Sequence, residues 1–113
     1  MPLDIGVLDD QYRYMRHMHI DKVIHGVLFR KLVKTDDYPS LGRAEDDSED
    51  ITVTPEEIPA LLKDVSRLEG YLDKETRMSA EVKGRCLEFV RGLREICEVA
   101  LKEGRNVEFI AGE

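Results

Sequence analysis

The chain has 113 residues, of which 42 % are hydrophobic and 36 % charged, and its formal net charge is −7. That suffices for one domain with one core; such a chain buries roughly two-thirds of its unfolded surface, so stability requires neither a metal nor a disulfide. No apolar run approaches the ~20 residues of a membrane helix, the N-terminus lacks the basic head and apolar stretch of a signal peptide, and the negative charge argues against a nucleic-acid or membrane-surface binder.

Leu3, Ile5 and Val7 alternate with Asp4 and Gly6, the period-2 pattern of a half-buried strand. Asp9-Asp10-Gln11 reads as a turn. A second alternation follows, with Tyr12, Tyr14, Arg16, Met18 and Ile20 on one side and Arg13, Met15, His17 and His19 on the other, so the two runs predict a β-hairpin. From Asp21, a suitable N-cap, the period becomes helical through Val23, Ile24, Val27, Leu28, Leu32 and Val33, fading near Lys34. Residues 36–50 hold Pro39, Gly42 and a run of acids, and read as a mobile acidic loop. Ile51-Thr52-Val53 predicts a short strand.

Thr54-Pro55-Glu56-Glu57 has the form of a helix start, with Thr54 as cap, proline at the first helical position and Glu57 bonding back to the Thr54 amide. Ile58, Leu61, Leu62, Val65, Leu68 and Leu72 then form an apolar stripe, which Gly70 is expected to end early. Ser79 caps a third helix, Gly104 stops it, and Val107-Glu108-Phe109-Ile110 predicts a final, edge-like strand. The resulting fold class is α+β: a small antiparallel sheet, made of the N-terminal hairpin and the C-terminal strand, packed on three helices.

Cys86 and Cys97 lie eleven residues apart in the third helix, on a face shared with Val82, Phe89, Val90, Leu93 and Ile96. Their separation of about 16 Å along a helix is too great for a disulfide. They read as buried thiols, and with no signal peptide they suggest a reducing cytoplasm.

The acidity is local. Residues 1–43 carry a net +1, residues 58–113 a net −1, and residues 44–57 a net −7 with no lysine or arginine. Glu45, Asp46, Asp47, Glu49, Asp50, Glu56 and Glu57 are therefore the candidate partner-binding residues, able to steer a basic protein over about a Debye length. The alternative is a solvated loop that keeps the protein soluble. Asp46, Ser48 and Asp50 have the 1-3-5 spacing of a calcium loop with Glu57 at its twelfth position, but Ile51 stands where glycine is needed. His17 and His19 share a strand face without the further ligands that zinc requires, and His25 falls near the start of the first helix. No nucleophile elbow, H-E-x-x-H or phosphate loop is present, so the chain reads as a non-enzyme without a cofactor.

The opening Pro2-Leu3-Asp4-Ile5, the segment from His25 to Pro39, the Thr54-Pro55-Glu56-Glu57-Ile58 helix start and the closing Val107-Glu108-Phe109-Ile110 together resemble small uncharacterised bacterial proteins, including immunity proteins of toxin–immunity systems. The resemblance implies a small, acidic, cytoplasmic protein that binds a basic nuclease toxin, and it assigns no residue a role. Two other readings compete: a small metal-dependent enzyme using His17 and His19, and a homo-oligomeric accessory subunit, such as a homodimer, that pairs its apolar helix face with a second copy.

Overall fold

The computed structural model describes residues 3–34, 36–45 and 49–111, with Lys31 described by its backbone alone. The predicted hairpin forms. Strand β1 (Leu3–Leu8) pairs antiparallel with β2 (Tyr14–Ile20), Leu3 opposite Ile20 and Asp4 opposite His19. Asp9 closes the turn, its Oδ1 accepting the amides of Gln11 at 2.8 Å and Arg13 at 3.0 Å. Those bonds hold Tyr12 in the left-handed region at φ 60°, a conformation that a bulky residue rarely adopts unaided.

The register slips between Val7 and Leu8, so that Arg16 faces Val7 and Tyr14 faces Leu8, with Met15 left over as a bulge. Simple alternation puts Tyr14 with Arg16, Met18 and Ile20. The bulge instead turns it to the opposite face, beside the His17 ring at 4.3 Å.

The C-terminal strand β4 (Val107–Ala111) is last in sequence but not at an edge. It runs between β1 and β3 (Ile51–Val53), giving an all-antiparallel order β2-β1-β4-β3. The two sheet edges are β2 and β3.

Helix α1 (Lys22–Gly26) starts where Asp21 accepts the Ile24 amide at 2.9 Å. It then widens into a π-helical stretch over Val27–Leu32, with the Val33 amide donating to the Leu28 carbonyl at 2.7 Å. Part of the segment read as a loop is structured and packed: Leu41–Glu45 form a 3-10 turn, and Tyr38, Leu41 and Ala44 enter the core.

Helix α2 (Ile58–Lys74) begins a turn later than the capping box suggests, with Pro59 near its start. Glu57 does bond back to the Thr54 amide at 3.0 Å, but the Thr54 hydroxyl donates to the same carboxylate instead of accepting from a helix amide. Gly70 does not end the helix, because Leu68 and Leu72 on either side of it are fully buried and carry the apolar stripe through. Helix α3 (Ala80–Glu103) follows the sequence expectation. Ser79 Oγ accepts the Val82 amide, and Gly104 closes the helix at φ 64°.

Helix α3 lies across β1, β2 and β4, and α2 packs on α3 and on the 3-10 turn. Leu3, Ile5, Val7, Val107 and Phe109 point from the sheet into this core, where they join Cys86, Phe89, Leu93, Ile96 and Cys97 of α3. Glu69 joins the two long helices by accepting from Arg94 at 2.6 Å. Among the described residues no helix is long and apolar enough to cross a membrane.

Both cysteines are free and fully buried. Burial pushes the Cys86 thiol up and drives Cys97 up to about 12, so neither supplies thiolate at neutral pH. A thiol reagent should therefore label both only as fast as the protein opens. Rapid labelling in the absence of denaturant would contradict this burial.

Candidate functional site

The helices cover one face of the sheet, and no described element covers the other. On that open face the register sets His17, Gly6, Glu108 and Thr52 in one row across the four strands, with His19, Asp4 and Ile110 in the row beside it. Asp4 is the centre of a small cluster. Its Oδ1 lies 2.9 Å from His17 Nε2 and 3.0 Å from His19 Nδ1. An ionised carboxylate only accepts, so each imidazole donates an N–H to it. The bond from His19 is the main cause holding the Asp4 carboxyl below its ordinary range, partly offset by burial and reinforced by His17.

Tyr14 lies over Gly6. A Cβ at Gly6 would fall 2.5 Å from Tyr14 Cδ1 and 2.6 Å from the Arg16 carbonyl oxygen, so the close approach requires glycine. Burial raises the Tyr14 phenol, as do the charges of Asp4, Asp50 and Glu108 around it. Thr52 Oγ1 donates to Glu108 Oε1 at 2.6 Å, and Asp50 Oδ1 accepts the Ala111 amide at 2.8 Å. The face thus carries three carboxylates, an aromatic ring and two imidazoles, and its strands turn no lysine or arginine towards it. Arg16, the basic residue of β2, points to the helix side and pairs with Glu95 at 2.9 Å. Arg105, near the hairpin end of the sheet, is held by the Leu8 carbonyl and Asp10.

The acidic segment adjoins this face through Asp50. Of its seven carboxylates, Asp46 and Asp47 lie outside the described residues. Asp50 and Glu57 are tied down: Asp50 by Ala111, and Glu57 by Thr54 and by Arg43 at 3.1 Å. Glu45, Glu49 and Glu56 are exposed and make no ion pair among the described residues. Of the calcium spacing, Asp46 and Ser48 lie outside the described residues, and Asp50 and Glu57 are each committed to a separate structural contact.

Among the described residues no three His, Cys, Asp or Glu side chains are arranged to hold a metal ion. Asp4, His17 and His19 share one oxygen rather than enclosing a common point. His25 is elsewhere, buried with its Nε2 2.9 Å from the Ala44 carbonyl and its ring stacked on Phe29.

Periodicity places His17 and His19 together but misses Asp4 as their partner. The missing step is the hairpin register, which the Asp9 turn and the Met15 bulge decide. No family model matches the chain, and no curated protein or solved structure matches it either.

Proposed function

We propose that the chain is a non-catalytic protein-binding domain whose partner is basic, in the manner of an immunity protein that neutralises a basic toxin domain. The observation that supports this reading is the continuity of negative charge. Among the described residues Glu45, Glu49 and Glu56 are exposed and form no ion pair, and the sheet face reached through Asp50 adds Asp4 and Glu108, with no lysine or arginine turned to it by its strands. Unneutralised carboxylates on one side of a small domain raise the encounter rate with a cationic surface. The homodimer reading has less to draw on, because the apolar stripes of α2 and α3 lie in the core and leave single exposed residues such as Tyr71 and Leu101.

The test uses Glu45→Gln, Glu49→Gln and Glu56→Gln together, which removes three exposed charges and little shape. Folding stability should hardly move. The on-rate for a basic protein recovered from the host should fall, mainly at low salt, and its salt dependence should flatten. Equal on-rates for both forms across salt concentrations would reduce the segment to a solubilising role.

A further inference from the structure

We infer that the basic partner seats on the uncovered sheet face, and that His17 and His19 make this docking proton-sensitive, strongest when both imidazoles are neutral. The inference rests on the reading of the chain as a binder of a basic protein, and it adds the place and the control.

The place follows from charge and shape together. The Tyr14 ring lies over Gly6 and remains 41 % exposed, with Glu108 opposite Gly6 on β4, Asp4 two residues away on β1 and Asp50 against the end of β4. A lysine- or arginine-bearing segment laid across the four strands meets carboxylates on either side of an aromatic ring, and an arginine gains further from stacking on the ring. An acidic or apolar segment would instead leave three carboxylates desolvated without a counter-charge.

The control follows from which groups on this face change charge. The face is built from β1 with Asp4, β2 with Tyr14, His17 and His19, β4 with Glu108, and β3 with Thr52 and the neighbouring Asp50. Tyr14 stays neutral, because burial and the carboxylates push its phenol up. Asp4 stays ionised, because the two imidazoles hold its carboxyl down. Arg105 is paired with Asp10 at the far end.

Imidazole is the side chain that changes charge between about pH 5 and 8. His17 and His19 are both exposed and therefore open to protons from solvent. When both are protonated, the face passes from three negative charges to one. Each imidazole donates to Asp4 in either state, so the change is one of charge and needs no rearrangement.

The test is an NMR titration of the full chain with a short peptide of alternating arginine and glycine, whose charge is constant with pH. It is run near pH 7.5 and near pH 5.5, on the wild type and on His17→Gln/His19→Gln. At the higher pH the amides of Asp4, Gly6, His17 and Glu108 should shift. Wild-type affinity should fall roughly fivefold at the lower pH, the scale expected of two exposed charges. The double variant should bind equally at both, and each single variant should retain part of the effect. The spectra themselves report whether each variant is folded.

Shifts confined to residues 49–57 would overturn the sheet face as the docking place while leaving a basic partner intact. An undiminished pH dependence in the double variant would overturn the histidine control alone. Absence of shifts at both pH values would overturn the inference together with the reading on which it rests.

Discussion

Asp64→Ala should lower the unfolding free energy by about 2–3 kcal/mol, an effect out of proportion to the size of the change. Asp64 sits on the buried side of α2 and is only 4 % exposed. Its Oδ2 accepts two amides, from Ser40 at 2.8 Å and Leu41 at 3.0 Å, where the 3-10 turn of Leu41–Glu45 begins. The first amides of any helical turn lack partners within it, and burial makes an unpaired amide costly. One turn further along α2, Arg67 places its guanidinium 5.0 Å from the centre of the Tyr38 ring and donates to the Asp37 carbonyl. Together, Asp64 and Arg67 hold residues 37–41 onto the long helix.

Alanine at position 64 removes both bonds and exposes the anchorage of Tyr38, Leu41 and Ala44. It also loosens the carbonyl of Ala44 that His25 bonds. Asparagine retains one acceptor oxygen, so Asp64→Asn should cost less, about 1 kcal/mol. Urea denaturation measures both. Unchanged midpoints for the alanine variant would mean that the 3-10 turn is held by its apolar side chains alone.

Asp64 also shows where sequence reasoning stops. The apolar stripe of α2 is legible because Ile58, Leu61, Val65, Leu68 and Leu72 recur at helical spacing, and all of them are buried. An aspartate between Leu61 and Val65 on that stripe is itself a signal, since an acid facing a core must meet donors. Nothing local says which donors. The turn it caps carries a fainter mark: Tyr38, Leu41 and Ala44 recur every third residue, the 3-10 period, amid residues whose composition otherwise reads as a loop.

The central place of β4 was not legible for a different reason. A short strand with Val107 and Phe109 facing the core has the same pattern at an edge or between neighbours, and the choice is made by which strands the chain has left unpaired. In the site, the shared face of His17 and His19 follows from alternation, which holds as far as the bulge at Met15. Beyond it the parity reverses, and Tyr14 arrives on the histidine face that alternation denies it.

Gly6→Ala tests that reversal directly and should destabilise the protein by about 2 kcal/mol, within the range for overpacking a closely packed site. The added methyl would meet three atoms at once: Tyr14 Cδ1 at 2.5 Å, the Arg16 carbonyl oxygen at 2.6 Å and Tyr14 Cε1 at 2.7 Å. The ring can swing aside, but the carbonyl belongs to the β1–β2 ladder and cannot move without disturbing the pairing of Val7 with Arg16. The two contributions separate in a double-mutant cycle with Tyr14→Ala. Removing the ring relieves part of the clash, so the cost of Gly6→Ala should be smaller in the Tyr14→Ala background, by about half. It should not vanish, because the backbone contact with Arg16 persists. A cost that is the same in both backgrounds would mean that Tyr14 does not rest on Gly6, and with it would go the bulge that brings the ring beside His17. If alanine at position 6 is silent, β1 and β2 lie further apart than the register requires, and Asp4 is not held between two imidazoles. Measuring the cycle by chemical denaturation therefore checks the geometry on which the whole open face depends, without needing a partner in hand.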